Sequence, residues 1–136
     1  KTSGGKYVAP QGIDNQAKAS NFIGHIMVVG DGEKMPCALI QPDFNFVQHW
    51  AERKQINVGT TPEEMANSPE LKERINKEID YLNTKLGSWE QIKRFELTPE
   101  VWTIDSGVLT PTLKLKRKAV KERYIKLYNK MYGHED

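Results

Sequence analysis

"FIGHIMVVGDGEKMPCALIQP", residues 22–42, decides what kind of chain this is. Two apolar runs, 22–29 and 35–40, flank Gly30-Asp31-Gly32, and Pro42 closes the second. Short runs rich in Ile, Val and Met around such a tip predict a β-hairpin, or two strands close to one. Just beyond, the periodicity changes. Asp43 can cap a helix in which Phe46, Val47, Trp50 and Ala51 share one face. Asn57-Val58-Gly59-Thr60 interrupts it. Thr61-Pro62-Glu63-Glu64 reads as a capping box with proline at the first helical position. Ser68-Pro69 then starts a helix whose buried stripe is Leu71, Ile75, Ile79, Leu82 and Leu86, with Gly87 as its stop.

Working outward, residues 14–21 are short, polar and alanine-containing, and read as a brief helix. Residues 92–97 alternate and predict a strand. A loop with Asp105, Ser106, Gly107 and Pro111 follows. Across 117–131, Val120, Tyr124, Leu127, Tyr128 and Met131 keep helical spacing. Helices and short strands interspersed in this way predict an α+β fold, a small mixed domain with a hairpin or short strands and about three main helices. The 136 residues suffice for one core, and no linker or repeat divides them, so 1–136 reads as a single domain.

The totals exclude several classes. A net charge of +2 makes the chain neither a general nucleic-acid binder nor an acidic tail. One cysteine, Cys37, excludes an internal disulfide framework and fits a reducing compartment. No apolar run approaches the ~18–20 residues of a membrane span, and no signal-peptide pattern stands at the start. Residue 1 is a lysine, so a processed chain or a fragment is expected. His25, His49 and His134 are far apart, with neither Cys37 nor a carboxylate pair at ligand spacing, and no metal site is expected. There is no Gly-x-Ser-x-Gly elbow, Walker loop or dinucleotide fingerprint. Residues 58–61 share only an outline with a phosphate turn, and a helix start is the better reading. His25, inside a strand-like run, reads as structural.

Two stretches carry more. In "LTPTLKLKRKAVKERYIKLYNK", residues 109–130, Lys114, Lys116, Arg117, Lys118, Lys121 and Arg123 crowd together. Either a basic amphipathic helix meets anionic lipid or RNA, or lysines cover a solvated face with Val120, Tyr124, Leu127 and Tyr128 inside. The regular apolar stripe favours the second. Lys114 precedes that helix, on a loop after Thr110-Pro111-Thr112, a common setting for a lysine that works on phosphate. In "KTSGGKYVAPQ", residues 1–11, Gly4 and Gly5 make either a tight turn or a length of bare backbone.

Together, these two stretches resemble the paired motifs of the C-terminal domain of AMP-forming acyl-CoA synthetases, nearest the long-chain fatty-acid–CoA ligases. The first is similar to the glycine loop just past the interdomain hinge. Thr112-Leu113-Lys114-Leu115-Lys116-Arg117 is similar to the terminal lysine motif Ser/Thr-Gly-Lys-hydrophobic-x-Arg, with Leu113 in place of glycine. The resemblance implies a lid domain whose partner is a large N-terminal adenylation domain, absent from this chain together with the hinge residue. It implies ATP, a fatty acid and CoA as substrates, with Mg2+ used by the larger enzyme and not bound here. It makes Lys114 the catalytic lysine of acyl-adenylate formation. Lys116 is the nearest rival, since alternation along an extended strand turns both to one side. Gly4, Gly5, Lys6 and Tyr7 would line the CoA path in thioester formation. The isolated domain is expected to be inactive. A cytoplasmic location follows, with a peripheral membrane position open to the larger enzyme, and nucleic acid is not an expected partner. The alternative from a different class is a free-standing basic module that binds anionic membrane or nucleic acid.

Overall fold

The sheet is organised around the strand that holds Cys37. The computed structural model describes residues 10–17, 19–29, 35–87, 90–112 and 115–133, without the side chains of residues 10, 11, 14 and 15. Strand β1 (Ile23–Val29) pairs antiparallel with β2 (Cys37–Pro42), as the two apolar runs predict. Strand β3 (Arg94–Leu97) pairs parallel with β2 on its other side, giving the order β1-β2-β3. Every residue of β2 is buried. A central strand covered on both faces can be apolar at consecutive positions, and Cys37-Ala38-Leu39-Ile40 is.

Six helical segments stand among the described residues: α1 (Pro10–Ala17), α2 (Phe44–Lys54), α3 (Pro62–Ala66), α4 (Pro69–Asn83), α5 (Arg117–Arg123) and α6 (Ile125–Tyr132). The chain is therefore α+β with a three-stranded sheet. Contacts divide it into two units, Lys1–Glu100 and Val101–Asp136. In the first, Ile26 and Val28 of β1 and Ala38 and Ile40 of β2 face α2 and α4 in one apolar cluster. Val47, Trp50 and Ala51 supply the α2 face, and Leu71, Ile75, Ile79 and Leu82 supply the α4 stripe. Phe22 closes one end, its ring edge-on to Phe46 at 4.9 Å and to Trp50 at 5.3 Å, with the Arg74 guanidinium 4.6 Å above it.

The helix starts follow the sequence closely. The Asp43 carboxylate accepts from the Phe46 amide at 3.1 Å, Thr61 Oγ1 from Glu64 N at 3.2 Å, and Ser68 Oγ from Leu71 N at 3.3 Å. Pro62 and Pro69 both stand in a first helical turn, where a missing N–H does no harm.

Four boundaries differ from expectation. The first helix runs Pro10–Ala17 rather than 14–21. Proline again opens it, and the chain leaves it through turns in which Ala19 N bonds Gln16 O and Ser20 N bonds Ala17 O. Helix α4 stops at Asn83, short of Gly87. Its last carbonyls are closed by short-range bonds, Thr84 Oγ1 to Tyr81 O at 2.6 Å and Lys85 N to Leu82 O at 2.9 Å. Strand β3 begins at Arg94, not at residue 92. The Asn83 side chain takes both Ile92 backbone groups, donating Nδ2 to Ile92 O at 2.9 Å and accepting Ile92 N at 2.8 Å, so neither is free for the ladder. The last helix breaks at Tyr124, where φ is −113° and ψ 32°.

Candidate functional site

The unit Val101–Asp136 folds back on itself around the residues that precede α5. Leu109 and Leu115 form an antiparallel bridge, and Lys116 N donates to Val108 O at 2.8 Å. Between the two bridged leucines, the Thr110 and Thr112 hydroxyls are 3.0 Å apart. Helix α5 starts directly after Lys116, which is exposed. A second set of bonds fixes the preceding loop. Thr103 N donates to Ser106 Oγ, Ser106 N to Thr103 Oγ1, and Arg123 Nη1 to the Ser106 carbonyl at 3.3 Å. Gly107, with φ 83°, makes the turn that follows. Trp102 Nε1 donates to Tyr124 Oη at 2.9 Å.

Of the sequence-derived site residues, Lys114 lies outside the described residues, as do Gly4, Gly5, Lys6 and Tyr7. The structure describes Thr112, Leu115, Lys116 and Arg117 of the 112–117 motif. Sequence reasoning missed the ties that hold this region: the Leu109–Leu115 pairing, the Thr103–Ser106 bonds and the Arg123 anchor. None has a periodic signature, since each depends on where a loop places one of the partners.

The helices that follow behave as a solvated face over an apolar stripe. Val120, Tyr124, Tyr128 and Met131 are buried, while Lys118, Lys121, Arg123, Lys126 and Lys130 are exposed. The Lys121 ammonium sits 4.4 Å above the Tyr128 ring.

The unit Lys1–Glu100 offers a groove of about 320 Å³. Its floor is Ala17, Ile23, Ile79 and Leu82, and Tyr81 and Lys85 stand at its rim. Its carboxylate, Glu78, is already engaged, accepting from Ser20 Oγ at 2.8 Å and facing Arg74 at 3.6 Å. The 58–61 segment is a helix start. The Asn57 side chain accepts the Gly59 amide at 3.0 Å, and Glu64 takes the Thr60 and Thr61 hydroxyls, so an acid occupies the place a phosphate would need. Among the described residues, no group of three or more His, Cys, Asp or Glu could hold a metal ion. No helix among them is long and apolar enough to cross a membrane.

Against known proteins, the AMP-binding enzyme C-terminal domain family matches residues 2–136. The chain belongs to that family. Its similarity extends over 98% of the chain to the long-chain-fatty-acid–CoA ligase FadD15 of Mycobacterium tuberculosis, at 34% identity over 134 residues and 22% of that protein. Long-chain-fatty-acid–CoA ligase 6 of Rattus norvegicus is 33% identical over 136 aligned positions that cover 98% of this chain and 19% of that one. The chain thus spans about a fifth of the length of the curated relatives it matches. Among solved structures, the adenylation domain of a carboxylate reductase from Mycobacterium chelonae aligns with a TM-score of 0.78 at 23% identity, over 98% of this chain and 19% of that one. The A domain of the carboxylic acid reductase from Segniliparus rugosus, in complex with AMP and a co-purified carboxylic acid, aligns at 0.76 and 20% identity, over 98% and 19%. At these identities the structural likeness concerns the fold alone.

Proposed function

We propose that this chain is the C-terminal lid domain of a long-chain fatty-acid–CoA ligase, working with an adenylation domain that precedes it in the same protein. The observation that carries the reading is the similarity of nearly the whole chain to ligases of that name, at 34% and 33% identity. The complete reaction converts fatty acid, ATP and CoA to acyl-CoA, AMP and pyrophosphate. ATP and CoA are substrates here, and Mg2+ would be held outside this domain.

The first step brings a carboxylate against the α-phosphate of ATP. Two unit charges 4 Å apart repel by roughly 4 kcal/mol at an effective dielectric near 20. An ammonium that touches both anions offsets that repulsion and fixes their approach. Lys114 is assigned that role. Its support is the motif Thr112–Arg117, together with a chain tied on both sides of it by the Leu109–Leu115 bridge and the bond from Lys116 N to Val108 O. In the second step the CoA thiol displaces AMP. Gly4 and Gly5 are assigned to its path, where the lack of side chains leaves room for pantetheine, with Lys6 and Tyr7 beside it. Presenting one face of the domain in each step requires rotation against the adenylation domain.

The two roles separate experimentally in the full-length protein. Lys114→Ala should lower fatty-acid-dependent pyrophosphate release by about 100-fold or more, while thioester formation from supplied acyl-adenylate stays within a few-fold. Gly5→Val should do the reverse. Equal losses in both half-reactions for Lys114→Ala would reject its assignment. Failure of the full-length protein to activate any long-chain fatty acid would reject the ligase reading itself.

A further inference from the structure

The charge of this chain is unevenly distributed. Residues 116–130 hold seven Lys and Arg against one acid, Glu122, a net of +6. The whole chain carries +2, so the remaining residues together carry −4. Within the basic segment, Lys118, Lys121, Glu122 and Ile125 line a single surface depression. Ile125 is 42% exposed, one of the few large apolar side chains presented to solvent among the described residues. Lys126 beside it is exposed as well.

We infer that this face of α5 and α6 docks on an anionic phospholipid surface. Lysines around an exposed isoleucine suit a bilayer interface, where ammonium groups meet lipid phosphates and carboxylates while an apolar side chain reaches below them. The same face is poorly suited to single-stranded nucleic acid, whose bases stack on exposed rings. Tyr124 and Tyr128 are buried, and half-buried Tyr132 has its ring 5.0 Å from that of Tyr128. The stripe Val120, Tyr124, Tyr128 and Met131 is internal, so docking is peripheral, driven by charge with Ile125 as a single anchor. The inference does not depend on Lys114 or on the ligase reading, because lipid alone tests it.

The test is co-sedimentation of the 136-residue chain with vesicles of phosphatidylcholine containing about a third phosphatidylserine, against phosphatidylcholine alone. Binding should require phosphatidylserine and disappear by about 0.5 M salt. Each lysine near such a surface contributes about fivefold, so Lys118→Glu with Lys121→Glu should weaken binding at least about twentyfold. Ile125→Ser should weaken it by about fivefold and leave the salt dependence unchanged. Thermal melting monitors folding. Lys118→Glu alone, which leaves the contact between Lys121 and Tyr128 in place, serves if the double variant unfolds. No binding at low salt, binding indifferent to the charge reversals, or equally tight binding to single-stranded RNA would each overturn the inference.

Discussion

Trp102 Nε1 and Tyr124 Oη share a 2.9 Å hydrogen bond, and their rings lie 5.9 Å apart at 30°. Both residues are buried. The bond joins the first residues of the unit Val101–Asp136 to the point where α5 gives way to α6. It holds in place the kink at which Tyr124 leaves helical geometry. Hydrogen bonds of this kind contribute about 1 kcal/mol net. Tyr124→Phe and Trp102→Phe should each destabilise the chain by about 1–3 kcal/mol, with a coupling of about 0.5–1.5 kcal/mol in a double-mutant cycle read by urea denaturation. Additive effects would mean that the two residues act separately.

The parts of the fold that were legible in the sequence are the local ones. Asp43, Thr61 and Ser68 announce helix starts because a side-chain oxygen can satisfy an amide two or three residues on, wherever the rest of the chain goes. The α4 stripe is legible because burial at period 3.6 leaves a mark on composition. The misplaced boundaries are tertiary. Nothing near residue 92 reveals that Asn83 will take both of its backbone groups, and nothing around Tyr124 reveals that a tryptophan 22 residues earlier will hold its hydroxyl. The candidate site divides in the same way. The 112–117 motif was visible as a motif, while its ties to Val108 and Leu109 depend on a chain reversal that no periodicity encodes.

Lys116 breaks a local rule. It occupies the N-cap of α5 with φ −88° and ψ 84°, and α5 has no side-chain cap. A cation at a helix N-terminus opposes the helix dipole, and lysine offers no acceptor to the free amides. Lys116→Asp should therefore stabilise the chain by about 0.5–1 kcal/mol, seen as a raised urea midpoint. In the full-length protein the same variant separates the two candidate lysines. Adenylate formation within a few-fold of the parent supports Lys114 as the reaching residue. A loss as deep as that of Lys114→Ala would move the role to Lys116.

Helix α4 should show the contrast between its two faces directly. Ile75 is fully buried beneath α4, whereas Tyr81 is 63% exposed on the same helix. Ile75→Ala removes buried methylenes and leaves a cavity, an expected loss of about 2–5 kcal/mol. Tyr81→Ala should stay within about 0.5 kcal/mol, because its ring meets mainly solvent and the Lys85 ammonium 4.6 Å away. Urea denaturation of both variants checks the pair. Similar losses would mean that α4 packs through a different face.

Gly24 offers the sharpest test of the sheet. It sits in β1 where the register against β2 shifts between Ile23 and His25. A Cβ there would come within 2.7 Å of Gln41 Nε2 and 3.2 Å of the Gln41 backbone oxygen. That amide nitrogen is buried and donates to Pro42 O at 2.7 Å. The constraint on Gly24 is thus room rather than backbone conformation. Gly24→Ala must displace the Gln41 side chain or open the strand pair, at an expected 1–3 kcal/mol by the usual scale of overpacking, about 2 kcal/mol in the middle of that range. Adding Gln41→Ala should recover part of the loss by clearing the space, although it also removes the bond to Pro42 O. Thermal melting of the two single variants and the double decides it. A double variant no more stable than the sum of the singles would show that the backbone oxygen, and not the amide side chain, is what excludes a side chain at this position.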